Sequence, residues 1–287
     1  MEDLLIYDLD DFETKDNDIF LLGEFNSFHL GHYQLYKKAI ELKKQNEDSR
    51  VILVCFNSEK LLPKDNGTSF TDKNAKYMQL TQLDLDSIIE LDFEAIRNWD
   101  GILFLNKLGQ NKKVTFISGE DYKFGHRASY NFELAKNENT LNENYSFITE
   151  PTQKIENVKI STSKLKESIE FGDLDFVNSL LVFNYAISCN VNSDLIITKS
   201  ANLINIHPGV YSGVIYFEDL VIYASILIDL DHSIYLDLFN FELEDLADSQ
   251  IVIEFRKVVR LIKNEYEAFL SDTDIAKSKE ILFNLLN

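Results

Sequence analysis

Positive charge is scarce in this chain of 287 residues: 28 Lys and Arg stand against 48 Asp and Glu, for a formal charge of −20. Such a deficit argues against a nucleic-acid binder, which holds a phosphate backbone in a basic groove and gains from released counterions. A small phosphate ligand, with part of its charge met by a metal ion, stays open. Cysteine is rarer still. Cys55 and Cys189 match neither a disulfide framework nor a metal-ligand spacing, which suits a reducing cytoplasm. Long apolar runs are missing as well: none approaches the ~18 residues of a membrane span, and residues 1–11 are acidic where a signal peptide is basic. Nothing in the sequence calls for export or a membrane anchor, and there is no internal repeat or low-complexity tract.

Glycine is limited to ten positions, and eight of them precede residue 185; Gly209 and Gly213 lie beyond. The two parts therefore differ in architecture. Hydrophobic residues at 45% and aromatics at 12% supply packed cores, unlike an acidic disordered chain. The length suits two domains by the soft prior of ~150 residues each, and we expect them at 1–183 and 184–287. In the first, the apolar runs 19–22, 51–56 and 114–117 read as buried strands. Residues 33–45 place Leu35, Ala39 and Leu42 on one helical face. Strand, helix, strand predicts right-handed crossovers and a parallel sheet, an α/β Rossmann-like domain. In the second, strands over 210–217, 220–228, 233–241 and 250–259 follow one another without helices, which predicts an antiparallel β-barrel. A helix over 274–286 is expected to cover it with Ile275, Ile281, Leu282 and Leu285. The acidic runs 8–18 and 242–248 are expected on solvated surface.

The sharpest chemical signal is Gly23-Glu-Phe-Asn-Ser-Phe-His29-Leu-Gly31-His32, leading from the first long apolar run into the first helix. It sets two imidazoles on a turn at a helix N-terminus, where free N–H groups and the positive dipole end favour an anion. The histidines would serve as hydrogen-bond donors to it. The bland reading is a pair of surface histidines capping a helix.

This turn resembles that of the nucleotidyltransferases with a His-x-Gly-His signature. Further stretches narrow the resemblance to the prokaryotic bifunctional riboflavin kinase and FMN adenylyltransferase family, also called FAD synthetase. That family's Gly-x-Phe-Asp-Gly-x-His-x-Gly-His is matched at Gly23, Phe25, His29, Gly31 and His32. Its Gly-Glu-Asp-Phe-x-Phe-Gly is similar to Gly119-Glu-Asp121-Tyr-Lys-Phe124-Gly125. Its Ile-Ser-Ser-Thr-x-Ile-Arg looks like Ile160-Ser161-Thr162-Ser163-Lys-Leu-Lys166, and Pro208-Gly209-Val210-Tyr211 resembles a strand of the kinase module. Taken alone, 119–125 is equally well a loop after a strand, and the 161–163 cluster an N-cap.

The resemblance implies catalytic roles for His29, His32, Ser161, Thr162 and Lys166, with ATP held by Gly23, Phe25, Asn26, Gly31 and Gly119. It implies flavin contacts from Asp121, Phe124 and Arg127, ATP and FMN as substrates, and Mg²⁺ as cofactor with unknown protein ligands. The implied reaction gives FAD and pyrophosphate. Departures from the family pattern are plain: its Asp-Gly pair is Asn26-Ser27 here, and Lys166 keeps the charge of its arginine but not the bidentate fork. The kinase module departs further. Its Thr-Ala-Asn is Ser200-Ala201-Asn202, and its glutamate base aligns with Tyr235, a poor proton acceptor near neutrality. The kinase site is thus expected to be degenerate, unless Asp237 or Asp231 has taken over as base. The alternatives are a fully bifunctional enzyme, a non-catalytic flavin or nucleotide binder, and an enzyme adenylylating another phosphate monoester.

Overall fold

In the computed structural model, which describes residues 4–63, 67–155 and 158–286, the apolar runs of the first part become strands of one sheet. These are β1 (Leu5–Asp8), β2 (Ile19–Leu22), β3 (Val51–Phe56), β4 (Ser87–Leu91), β5 (Val114–Gly119) and β6 (Tyr145–Glu150). Their order is β1-β4-β3-β2-β5-β6, with every neighbouring pair parallel. β2 and β4 are buried along their whole length, as strands covered on both faces must be. Helices α1 (Leu30–Lys43), α2 (Lys73–Leu80), α3 (Phe93–Ile96), α4 (Gly101–Gly109), α5 (Phe132–Lys136) and α6 (Asn139–Asn142) lie in the connections. Phe20 stacks on Phe116 with ring centroids 5.3 Å apart, within a core shared with Phe12, Phe104, Phe124 and Phe132.

The acidic run 8–18 is solvated as its charge suggests at Asp8, Asp10, Asp11, Glu13 and Asp16, which are exposed, but not at its end. Phe12, Thr14 and Asp18 are buried, Asp18 fully. Its carboxylate accepts from Arg50 Nε at 2.8 Å and Nη2 at 2.6 Å, and from the Lys15 N–H at 2.8 Å. A buried charge with three donors on it is tolerable where a bare one is not.

A short hairpin, β7 (Lys154–Ile155) and β8 (Val158–Lys159), precedes α7 (Thr162–Phe171) and α8 (Leu174–Leu180). The last part is a closed antiparallel barrel of β9 (Ala186–Val191), β10 (Ile197–Lys199), β11 (Gly209–Phe217), β12 (Leu220–Ile228), β13 (Ile234–Leu238) and β14 (Ser249–Leu261). Its order is β10-β13-β12-β11-β14-β9. Gly213 is needed there: a Cβ would lie 2.3 Å from Ile226 Cδ1 and 2.6 Å from the Glu254 carbonyl oxygen. The helix α9 (Asp272–Leu286) follows. Its Leu282 is buried, and Ile281 packs against Val210, Leu227 and Val259; the Leu285 side chain lies outside the described residues. Asp274 ties α9 to the barrel through Arg260 Nε at 2.9 Å.

By compactness the chain forms two units, Met1–Leu62 with Met78–Ile160, and Pro63–Tyr77 with Ser161–Asn287. The sheet belongs to the first and the barrel to the second. Within the second unit, Asp72 accepts from the Ser188 N–H at 2.6 Å and Oγ at 2.7 Å, and Thr71 Oγ1 donates to the Ala186 carbonyl. The connection between β3 and β4 thus runs through the barrel unit before returning along α2. Among the described residues, no helix is long and apolar enough to cross a membrane.

Candidate active site

β2 lies between β3 and β5, so the chain leaves it on one side toward β3 and later returns on the other at β5. In parallel sheets a ligand crevice opens outside the carboxyl ends of the strands at such a reversal. The residues at that rim are Gly23 after β2 and Gly119 at the end of β5, side by side because Leu22 pairs with Ser118. The two motifs of the first unit therefore leave the sheet together.

After β2 the chain turns sharply. Phe25 adopts φ +50°, a left-handed conformation costly for a bulky residue, and is buried against Phe28 and His32. A Cβ on Gly23 would lie 2.9 Å from the Phe25 ring. Asn26 Oδ1 is buried without a hydrogen-bond partner, which marks it as an acceptor awaiting a donor.

His29 is the N-cap of α1, three residues earlier than the periodicity predicts. Its Nδ1 accepts from the N–H groups of Gly31 at 3.1 Å and His32 at 3.3 Å. The expectation of free helix N–H groups is thereby revised, since two are taken by this ring. With Nδ1 an acceptor, the neutral imidazole carries its proton on Nε2. Burial, the main influence, lowers its pKa to about 4, so the ring is neutral at pH 7. His32 Nδ1 lies 2.7 Å from the Ser27 carbonyl, and the two imidazoles stack with centroids 3.9 Å apart. Gly31 has no room for a side chain: a Cβ would sit 2.9 Å from His29 Cε1 and 3.0 Å from Nδ1.

At the neighbouring loop, a Cβ on Gly119 would lie 3.2 Å from Asp121 Oδ1. The Asp121 carboxylate pairs with Lys159 Nζ. Burial, aided by Glu24, pushes the Tyr122 phenol up. Phe124 turns into the core, ringed by Phe104, Tyr122, Tyr130 and Phe132. Gly125 has φ +75°, and a Cβ there would meet the Gly101 backbone nitrogen at 2.9 Å. Arg127 is exposed, with φ +55°.

Ser161, Thr162 and Lys166 begin the second unit. Ser161 caps α7, its Oγ accepting from the Lys164 N–H at 3.4 Å. Lys166 Nζ donates to the Thr68 carbonyl. Of the kinase-like residues, Ser200 and Asn202 are exposed; the Asn202 carbonyl accepts from the Ser69 N–H at 2.6 Å. Tyr235 is 51% exposed on β13, paired in register with Leu227. Sequence reasoning passed over Lys159 and Gln153. The Gln153 Cβ lies 3.8 Å from where a Gly31 Cβ would be, and only the nearness of both residues to Ile160-Ser161 signals them.

The fold as a whole is similar to a macrolide-efflux protein from Streptococcus pneumoniae, whose crystal structure superposes with a TM-score of 0.75 over 98% of this chain and 97% of that one at 16% identity. A bifunctional riboflavin kinase/FMN adenylyltransferase of Buchnera aphidicola is 26% identical over 191 residues, 62% of this chain and 58% of that protein. The match thus spans less than two thirds of the relative's length. Residues 11–164, which include the His29 turn, the Gly119 loop and the start of α7, match the FAD synthetase family. The chain belongs to the FAD synthetase family.

Proposed function

We propose that the chain transfers the adenylyl group of ATP to the phosphate of FMN, giving FAD and pyrophosphate. An oxygen of the FMN phosphate attacks the α-phosphorus. A new P–O bond forms, the bond to the oxygen bridging to the β-phosphate breaks, and pyrophosphate leaves with that electron pair. No enzyme nucleophile is required, so the rate comes from holding the two phosphates in line and stabilising the charge that develops.

The observation that carries this reading is the fixed tautomer of His29. Its Nδ1 is spent on two backbone N–H groups, and Nε2–H remains as a preset donor at the rim where β2 and β5 end. Such a donor stabilises a phosphate oxygen without having to reorganise. Stacking on His32 and the bare Gly31 keep the ring from turning. We assign this chemistry to residues 1–183, supported by the family match over 11–164, with Ser161 and Thr162 at the start of α7 as further phosphate contacts. Gly23, Phe25, Asn26 and Gly119 shape the nucleotide pocket in this reading, and Asp121 and Arg127 the flavin side. Phe124 contributes by bracing its loop from within the core.

ATP enters as its Mg²⁺ complex, so the metal is part of the substrate. Among the described residues no three His, Cys, Asp or Glu side chains stand together as a metal cage, and no step is assigned to a protein-held ion. We infer further that riboflavin kinase activity is lost from the barrel, residues 184–287. Supporting this, Ser200 and Asn202 are exposed, and by resemblance Tyr235 aligns with the family's glutamate base. A cytoplasmic setting fits two buried, free thiols.

The test is to incubate the full chain with ATP, Mg²⁺ and either FMN or riboflavin, and to follow FAD, FMN and pyrophosphate by chromatography. FAD and pyrophosphate from FMN, with no FMN from riboflavin, is the expected result. FMN formed from riboflavin would make the protein bifunctional. Nucleotide binding without pyrophosphate would make it a non-catalytic binder.

A further inference from the structure

A lysine carries its charge on a flexible four-carbon stem, so the tip wanders unless something holds it. A charge that stabilises a developing one works best when it is already in place. Lys166 stands four residues after Thr162 on α7, on the same face of that helix. Its ammonium donates to the carbonyl of Thr68, 98 residues earlier. A carboxylate in that position would neutralise the lysine, whereas a carbonyl orients it and leaves it positive. The hold is only as firm as Thr68 itself.

Residues 68–72 form no helix or strand of their own, yet each residue from Ser69 to Asp72 is fastened within the second unit. Ser69 pairs in parallel with Leu203: its N–H donates to the Asn202 carbonyl at 2.6 Å, and its carbonyl accepts from the Ile204 N–H at 3.0 Å. Phe70 is buried against Tyr185, with ring centroids 5.0 Å apart. Thr71 Oγ1 donates to the Ala186 carbonyl at 3.0 Å. The Asp72 carboxylate collects three donors, the Ser188 N–H at 2.6 Å, Ser188 Oγ at 2.7 Å and the Ala75 N–H at 3.0 Å. Lys199 braces the receiving loop, its Nζ donating to the Leu203 carbonyl at 3.0 Å. The barrel thus holds the segment, and the segment holds the lysine.

We propose that the barrel positions Lys166 for adenylyl transfer, with Asp72 and Ser188 fixing residues 68–72 so that the Thr68 carbonyl presets the ammonium. Asp72 is a positioning residue that acts on the reaction only through Lys166. The purpose of the device rests on the adenylyl-transfer reading above, in which Lys166 meets phosphate by resemblance; the fastening of the lysine does not.

The test uses the full chain and two readouts. The first is acetylation of lysine amines by an N-hydroxysuccinimide ester, followed residue by residue by mass spectrometry, with exposed Lys164 of the same helix as reference. Lys166 should react at least about tenfold more slowly than Lys164, as expected of an ammonium held by a hydrogen bond. Asp72→Asn keeps the cap on α2, but its amide cannot accept from both Ser188 groups, and it should bring the two lysines to within about threefold of each other. The second readout is kcat/KM for pyrophosphate release from ATP and FMN. Asp72→Asn and Ser188→Ala should each lower it about 3- to 10-fold, the range of one hydrogen bond. In a Lys166→Met background the same changes should cost less than about twofold, because the group they act through is gone. Ser188→Thr, which keeps the hydroxyl, should stay within about twofold of wild type. Thermal melts confirm that each variant is folded. Equal losses in both backgrounds mean a merely structural role and overturn the proposal, as does a Lys166 that reacts as fast as Lys164 in the wild type. FAD made normally by a wild type with unprotected Lys166 leaves the adenylyl-transfer reading standing and removes the device. No FAD from the wild type removes the reaction, and the proposal with it, while a Lys166 protected until Asp72 is replaced keeps the fastening.

Discussion

The His29 turn lies within the stretch that matches the FAD synthetase family, whereas the Ser200–Asn202 loop lies outside it, and the fold treats their side chains differently. At the turn, each motif residue constrains another: His29 caps α1 with one ring nitrogen, Gly31 leaves room for that ring, His32 stacks on it, and Phe25 accepts a strained backbone to pack beneath. At the loop, Asn202 contributes its main-chain carbonyl to Ser69 while its side chain is exposed. On β13, Tyr235 is half in solvent. Mutual constraint of chemistry-bearing side chains is what a working site requires; at the loop the one side-chain bond is local, the Ser200 Oγ accepting from the Asn202 N–H at 3.4 Å. On the function proposed above, the first region carries chemistry and the second serves as architecture.

The comparison breaks first at His29. Asn is as good an N-cap as any residue, so His29→Asn keeps α1 capped while removing the Nε2–H donor and the ring stacked on His32. FAD formation should fall by about 10²- to 10³-fold, as for loss of one preorganised donor to a developing oxyanion, with the melting temperature within a few degrees of wild type. Chromatographic turnover assays and thermal melts decide it; undiminished turnover would reduce the turn to a helix cap.

The same ring makes a second, thermodynamic mark. An ordinary histidine titrates near 6.5, and His29 in the folded chain near 4 because it is buried. Between those values the unfolded chain binds a proton that the folded chain refuses. Stability from this group is therefore complete above pH ~6.5 and is lost as pH falls toward ~4, by ~1.4 kcal/mol per unit and on the order of 3 kcal/mol in all. Urea unfolding of wild type and His29→Asn across pH 7 to 4 should show the wild type losing that much more than the variant. Parallel curves would mean that the ring is not shielded from water.

Gly31→Ala follows. The added methyl would sit 2.9 Å from the His29 ring, and because Ala favours a helix over Gly, the fold should not suffer. The ring has to rotate off its two N–H partners, and turnover should drop about tenfold, a loss near 1.4 kcal/mol. Unchanged turnover would show that the glycine serves only the helix.

How much of this was legible follows the range of the interactions. Strands 19–22 and 51–56 are written in contiguous apolar residues, and 220–228 with Ser225 alone among them; all three are legible at their observed bounds. β4 was not, because Ser87 and Glu90 interrupt its apolar run; Glu90 is tolerated inside because Asn57, 33 residues away, donates to it at 2.7 Å. The burial of Asp18 depends on Arg50, and the docking of 63–77 on the barrel depends on Ser188, 116 residues from Asp72. No local pattern announces such partners. At the site, the motif residues were visible as a string, but that His29 consumes the helix N–H groups was not, since this is a property of ring orientation. Lys159 had no signal beyond standing next to Ile160-Ser161.

The smallest expected effect sharpens the other half of the comparison. Tyr235 is the residue on which loss of kinase activity was argued, and its phenol makes no side-chain demand that the barrel depends on: its neighbours on β13, Ile234 and Leu236, carry the inward packing, while it stands 51% exposed opposite Leu227. Tyr235→Phe removes only the hydroxyl from a surface position, so unfolding free energy should change by no more than ~0.5 kcal/mol, and FAD formation from FMN should not change at all. If the barrel retains a catalytic step, the same substitution removes the group standing where a proton acceptor belongs, and any FMN made from riboflavin should fall while FAD made from FMN does not. A drop in the first rate alone would therefore restore a working site to the second unit, an unchanged rate of FMN formation would place its base elsewhere, at Asp237 or Asp231, and no FMN from either protein would leave that unit as scaffold.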